Sequence, residues 1–298
     1  MACPSPGVSR PGYEATQRPR CLGAPTYRRR LGTAPRWPKS IPGSTNPWRP
    51  RCLEYGRTSV PATLAPSANR LLAALPRQEH DRLLAHCDTV NLQFAEVLAE
   101  PGEPIRHVWF PTGSAIAQIR RIDAHASLEV GLIGDEGALG IPLALDVTES
   151  SLRALVQAPG TALRIPASAF RRVLEEGPAL SRILRQYIHV LMGQLAQTAG
   201  CTRFHLVEPR LARWLLMTQD RTHSTGFHIT HEFLAQVLGV RRVGITHAAS
   251  TLQQHQLIHY RRGDIAIVDR AGLEAAACTC YAADRLAYSR GMRGTPPS

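Results

Sequence analysis

Apolar positions are ordered only from residue 69 onward, and their spacing changes twice along the chain. Asn69, Leu71, Leu72 and Leu75, then Pro76, then Leu83 and Leu84 predict a helix over 69–85 broken at the proline. From Thr89 short apolar runs alternate with turn signals. The runs are 90–97, 108–110, 115–119, 128–133, 154–157 and 162–165, and Pro101-Gly102, Pro111-Thr112-Gly113, Gly134-Asp135 and Pro159-Gly160 punctuate them. Many short strands at regular spacing predict a β-sandwich or barrel. After Pro166 the period becomes helical. Phe170, Val173 and Leu174 start a short helix, Gly177-Pro178 interrupts it, and a longer helix is expected over about 179–197. Its stripe is Leu180, Ile183, Leu184, Tyr187, Ile188, Leu191, Met192 and Leu195. A stripe that wide packs on the β-domain along one edge and leaves another for a partner helix. Leu184, Tyr187, Ile188, Leu191 and Leu195 are therefore the candidate dimer interface, with an ordinary core helix as the alternative. A further helix is expected over 207–217, opened by Glu208-Pro209 because proline suits the first helical turn.

The stretch 228–269 carries the most specific pattern. Thr230 is placed to cap a helix with apolar Phe233, Leu234, Val237 and Leu238. Gly239 supplies the turn. A second helix from about Arg241 buries Ile245, Ala248, Ala249 and Leu252. Two short helices joined by a glycine turn predict a helix-turn-helix. Two β-rich runs then flank Arg262-Gly263-Asp264 and predict a hairpin, which makes the unit a winged helix. In such a module the N-terminal turn of the second helix reaches base edges in the major groove. Arg242 is the first candidate for guanine O6 and N7, and Arg241 for the same or for phosphate. Thr246, His247 and Ser250 are further polar candidates, and Arg261 and Arg262 on the wing suit backbone phosphate.

Charge sharpens this picture and composition prunes it. The 298 residues carry a net +12, but residues 1–66 hold +9 of it with 12 of the 23 prolines. That stretch has no period of 2 or 3.6 and is read as a disordered basic arm. A non-specific phosphate-holding arm, an organelle-targeting segment, and a functionless or over-extended start are its three readings. Residues 67–206 are near neutral at −1, whereas 207–298 carry +4. No apolar run approaches the ~18 residues that span a bilayer, and no basic stretch with an apolar core follows Met1, so a cytoplasmic protein without a membrane partner is expected. Seven widely spread cysteines (3, 21, 52, 87, 201, 278 and 280) argue against a disulfide scaffold. Cys278 and Cys280, with Cys201 and His205, are the one set with zinc or thiol chemistry to consider. Their spacing is not a zinc-ribbon pattern and free cysteines commonly pack as small hydrophobes, so no metal is expected. His223, His228 and His231 are read as surface or capping histidines. No nucleophile elbow, phosphate loop, paired-carboxylate signature or HExxH helix appears, so no catalytic residue is assigned.

The segment 228–239 (HITHEFLAQVLG), Arg241-Arg242, the wing, Gly102-Glu103-Pro104 and the segment 134–140 (GDEGALG) together resemble the Crp/Fnr family of bacterial transcription regulators. The resemblance covers about residues 67–285. It implies an α+β fold: a cyclic-nucleotide-binding-like β-roll (67–178), a dimerisation helix and hinge (179–206) and a winged-helix DNA-binding domain (207–285), with 286–298 as a tail. It implies a homodimer on an inverted-repeat DNA site, with RNA polymerase as a partner. By position it places base contacts at Arg242, Val243 and His247; Val243 is unable to accept from cytosine N4 and suits a thymine methyl. In the sensory half Ala138 stands where a ribose-binding Glu is expected, Glu136 is displaced, and Arg153 is the nearby arginine. Glu136, Gly137, Ala138, Leu139, Gly140 and Arg153 are thus the effector-pocket candidates, with tight cyclic-AMP binding disfavoured, an unknown ligand or no ligand as the readings, and no cofactor. The alternative function is a sensor module that binds an effector or a protein and reads little DNA.

Overall fold

The computed structural model describes residues 69–123 and 126–292; the basic arm of 1–66 lies outside them. Helix α1 (Arg70–Ala73) starts where the Asn69 side chain accepts from the Leu71 and Leu72 amides. The same side chain donates to the carbonyls of Pro111 and Gly137, tying the helix to the β-domain. Helix α2 (Arg77–Leu84) follows Pro76. Seven strands come next: β1 (Asp88–Leu92), β2 (Val97–Ala99), β3 (His107–Pro111), β4 (Ala115–Arg121), β5 (Ser127–Ile133), β6 (Arg153–Ala158) and β7 (Gly160–Pro166). A short 3-10 helix (Ile141–Leu145) separates β5 from β6. The expected 90–97 run is split into β1 and β2 by a turn in which Ala95 takes φ +62°.

The strands form two antiparallel sheets, β1-β7-β3 and β2-β6-β4-β5. Side chains alternate across a strand, and here both faces of each sheet are used. Trp109 of β3 meets Ile116, Ile133 and Val156 between the sheets. Its neighbours Val108 and Phe110 point outward into a core shared with the helices. On the other sheet, Ala115, Ala117 and Leu132 face outward with Met217 packed against them. Burial on both faces is why these strands read as continuous apolar runs instead of alternating ones.

Helix α3 (Ala167–Glu176) leads into α4 (Pro178–Phe204), whose first turn is capped by the Glu79 carboxylate accepting from the Ala179 and Leu180 amides at 3.2 and 2.9 Å. A carboxylate there also meets the positive end of the helix dipole. At 27 residues α4 is longer than the 179–197 expected. Two of the five expected seam residues, Leu184 and Tyr187, are fully buried in the chain's own core, the alternative the period left open for them. Ile188 and Leu191 are half-buried against the same core. Leu195, with Met192, is exposed (43% and 64%).

Helix α5 (Val207–Thr222) is buried along Arg210–Leu216 because it is packed from several sides. It is followed by β8 (Gly226–His228), α6 (His231–Leu238), α7 (Arg242–Gln254), β9 (Ile258–Arg261), β10 (Asp264–Ile267), α8 (Arg270–Ala276) and α9 (Cys280–Gly291). The three last strands form an antiparallel sheet ordered β8-β10-β9. The expected tail from 286 is corrected: residues 286–291 complete α9. Its inner face is polar. Asp284 pairs with Arg213, the Tyr281 hydroxyl donates to Asp220, and the Tyr288 hydroxyl donates to the Glu136 carbonyl. Among the described residues no helix is long and apolar enough to cross a membrane.

Candidate nucleic-acid interface

The two helices expected from the sequence meet in a helix-turn-helix. Thr230 Oγ1 accepts from the Phe233 amide at 3.2 Å and opens α6. Gly239 closes it at φ +62°, a left-handed conformation that lets Arg241 start α7 three residues after α6 ends. Ile245, Ala248, Ala249 and Leu252 turn into the module. That leaves Arg241, Arg242, Val243, Thr246, His247 and Ser250 on the exposed side of α7, with Val243 66% exposed.

The wing stands beside this face. Arg262 and Gly263 both take positive φ (53° and 94°), the turn that closes a two-residue hairpin. Gln253 Oε1 of α7 accepts from the Tyr260 amide of β9 and docks the wing to the helix. Tyr260 in turn stacks on His231 at 4.2 Å. Burial, with Arg242 beside it, holds the His231 imidazole below its ordinary pKa. His231 Nδ1 lies 3.1 Å from the Thr246 hydroxyl, which also donates to the Arg242 carbonyl, so Thr246 is already engaged within the module. Gln253 and Tyr260 were not singled out by the sequence, and His231 was read there only as a surface or capping histidine. Gln253 continues the exposed 243-246-250 spacing, which is the signal that points to it.

Among the described residues none of Arg241, Arg242, Arg261 and Arg262 pairs with a carboxylate, although most other arginines of the domain do: Arg213 with Asp284, Arg221 with Glu136 and Arg270 with Asp220. Four exposed guanidiniums at one helix start and one wing tip form an uncompensated positive surface, the electrostatic footprint of a polyanion site.

The effector-pocket candidates do not come together. Leu139 and Gly140 line a cavity of about 130 Å³ with Leu98, Trp109, Gln118 and Ser151. Glu136 instead borders a larger cleft of about 640 Å³ with Arg70, Asp220, Arg270, Arg285 and Tyr288. Gly137 and Ala138 line neither cavity, and a Cβ on Gly137 would lie 1.9 Å from the Tyr187 hydroxyl oxygen. Arg153 is paired with Glu100 at 3.4 Å and is not among the residues lining either cavity, although its neighbour Leu152 borders the smaller one. The grouping by sequence adjacency is therefore corrected. The segment 134–140 is a buried joint, with Glu136 accepting from Arg221 of α5 at 2.7 Å.

Helix α5 is held on the β-domain by two further contacts: the Gln157 amide donates to Thr218 Oγ1, and the Trp214 indole donates to Glu129. Burial, partly offset by Trp214, Arg221 and Arg213, pushes the Glu129 carboxyl up to about 8. The folded protein therefore retains a proton that an unfolded carboxyl loses near its ordinary value. Stability is greatest below that ordinary value and falls as pH rises toward 8. Glu129→Gln is expected to remove this slope. Urea melts at pH 5 and 9 should show the wild type losing about 1–2 kcal/mol more than the variant over the interval, a figure reduced for solvent reaching the group. Parallel slopes in the two proteins contradict a protonated Glu129.

Residues 209–276 match the model of the Crp-like helix-turn-helix domain. No curated protein matches the chain. Solved structures share the fold. FixK2 from Bradyrhizobium japonicum is 12% identical with a TM-score of 0.55, over 64% of this chain and 98% of that one. The c-di-GMP-responsive global regulator CLP from Xanthomonas campestris is 15% identical with a TM-score of 0.54, over 64% and 99%. A transcriptional regulator of the Crp/Fnr family from Thermus thermophilus is 18% identical with a TM-score of 0.52, over 64% and 98%. At these identities the likeness speaks for the fold. Residues 209–276 thus form a Crp-like helix-turn-helix domain, and the chain shares the fold of solved Crp/Fnr transcription regulators.

Proposed function

We propose that this protein is a sequence-specific DNA-binding transcription regulator that acts as a homodimer on an inverted-repeat site. The observation that carries the reading is the uncompensated arginine surface of α7 and the wing. In this reading α7 lies in the major groove. Arg242 reads guanine, Val243 contacts a thymine methyl, and His247 and Ser250 reach bases or phosphate one turn further on. Thr246 supports the helix start, and Arg241, Arg261 and Arg262 hold phosphates.

The dimer forms along the outer stripe of α4, where exposed Met192 and Leu195 alternate with small Gly193, Ala196 and Ala199. Small residues let two such helices approach closely. An effector acts on the β-domain and shifts how α5 and its DNA-reading module sit on that domain. The 640 Å³ cleft suits such a ligand better than the 134–140 segment does, since it touches both the Glu136–Arg221 joint and α9. RNA polymerase is the partner and the cytoplasm the setting in which a regulator of this kind works.

The phosphate role has a direct test. Arg261→Ala/Arg262→Ala is expected to weaken binding to every duplex and to flatten the salt dependence, by about 0.9 in the log–log slope for each phosphate that the protein no longer neutralises. Fluorescence anisotropy of labelled duplex across a salt series reads this. An unchanged slope would remove the wing from the DNA surface.

A further inference from the structure

Cysteines 201, 278 and 280 are buried and form a cluster of their own that contains no other buried hydrophobic residue. What joins them is His205. Cys201 lies in the last turn of α4 and His205 is the residue that caps it, its backbone N–H donating to the Cys201 carbonyl. Cys278 and Cys280 flank Thr279 where α8 hands over to α9. The fold brings these two ends together across 77 residues, so that the three sulfurs and a ring nitrogen all lie within 4.8 Å of one another.

The spacing has the size of one ion's shell. Tetrahedral zinc with bonds of about 2.3 Å to sulfur and 2.0–2.1 Å to nitrogen sets its sulfurs roughly 3.8 Å apart and sulfur to nitrogen roughly 3.5 Å. Here Cys201 Sγ and Cys278 Sγ are 3.6 Å apart, and Cys280 Sγ and His205 Nδ1 are 3.4 Å apart. A disulfide would need its two sulfurs at about 2.05 Å and would leave the third thiol and the imidazole without a role. The surroundings are those of a metal shell. The Gln197 amide donates to Cys280 Sγ at 2.8 Å. The charges of Arg210 and Arg213 act on Cys201 and Cys278. Three thiolates around a divalent cation leave one net negative charge, which Arg210 is placed to offset, since Arg213 is already paired with Asp284.

We propose that Cys201, His205, Cys278 and Cys280 bind a single Zn²⁺ ion that staples the end of α4 to the start of α9. This revises the expectation of no metal. Three thiolates and one imidazole are a closed, borderline-soft donor set, which is the chemistry of structural zinc and leaves no open position for catalysis. The ion sits at the hinge: His205 ends α4, and α5, the first helix of the DNA-reading half, begins two residues later. Holding α9 there also holds Asp284 against Arg213 of α5. The zinc thereby fixes the direction in which the winged helix leaves the long helix.

The test is the metal content of the full chain purified under reducing conditions, followed by cobalt titration of the chelated protein. The expected result is about one zinc per chain. Cobalt should give thiolate charge-transfer absorption and tetrahedral d–d bands, both abolished on adding an equal amount of zinc. Changing Cys278 and Cys280 to Ser should remove both signals. Gln197→Ala, which keeps every ligand, should weaken zinc binding about 10–100-fold. Cys3→Ser/Cys21→Ser/Cys52→Ser should keep the full zinc content. A folded wild-type chain without zinc and without a tetrahedral cobalt spectrum overturns the proposal, as does a Cys201–Cys278 disulfide or an iron-sulfur chromophore. None of these readouts uses DNA, so they stand or fall apart from the regulatory reading.

Discussion

Glu136→Gln is expected to destabilise the protein by about 3–5 kcal/mol. Arg221 is buried with Glu136 at 2.7 Å and also donates to the carbonyls of Leu132 and Met217. Burial opposes its charge, and the Glu136 carboxylate beside it more than restores it, leaving the guanidinium above its ordinary pKa. Gln keeps the shape and one acceptor but removes the countercharge. The cost is therefore that of a desolvated cation, not of one hydrogen bond. The companion expectation is that Glu136→Leu/Arg221→Met costs less than either single change, because it removes both charges at once. Urea unfolding of the wild type, Glu136→Gln, the two single changes Glu136→Leu and Arg221→Met, and their double measures this. A single-variant cost below about 1 kcal/mol, the range of exposed pairs, would mean that solvent reaches the pair. The pair joins α5 to the β-domain segment 134–140, so the same variants should change how firmly the DNA-reading half is held.

Arg242→Ala is expected to cost about 1–3 kcal/mol on the preferred DNA site and to relax selectivity at one base pair of each half-site. The side chain is exposed at the first turn of α7 and pairs with no carboxylate among the described residues. Its removal therefore leaves the fold unaltered, and thermal melting should not change. A guanine contact predicts a weakening confined to sites that carry that guanine, whereas a phosphate contact predicts an equal weakening on every duplex with a lower salt slope. Binding isotherms on the preferred site and on single-base variants separate the two. Unchanged affinity and selectivity would move the reading face away from Arg242.

What the sequence revealed, and what it concealed, follows from which forces leave a period. The sandwich strands and α6–α7 are built on apolar contacts and punctuated by glycine and proline, so their spacing was readable. The β1–β2 turn was not, because Ala95 takes a left-handed conformation within an apolar run without a glycine to mark it. Helix α9 was concealed because it docks through Tyr281, Asp284 and Tyr288, whose partners are polar. The stripe on α4 mixed two surfaces. Leu184 and Tyr187 belong to the core and Met192 and Leu195 to the outside, and a period alone does not divide them. Exposure at the DNA-reading face was legible from the helical period, since the apolar Ile245, Ala248, Ala249 and Leu252 define the opposite side. Glu136, close in sequence to the pocket candidates, turned out to serve Arg221 across 85 residues, a pairing that only the tertiary fold creates. The cysteine–histidine quartet was named from the sequence, but its spacing matched no metal motif, and only the tertiary fold brings its four side chains within 4.8 Å of one another.

Selection from random duplex DNA with the full chain tests the central claim most directly. Enrichment of an inverted repeat with half-site centres about 10 bp apart is the predicted result, since a two-fold dimer presents its two α7 helices one turn of the duplex apart. The same selection with Arg242→Ala should lose preference at one symmetric pair of positions. A folded chain that enriches no sequence, with small-molecule cell extract added or without it, contradicts the account.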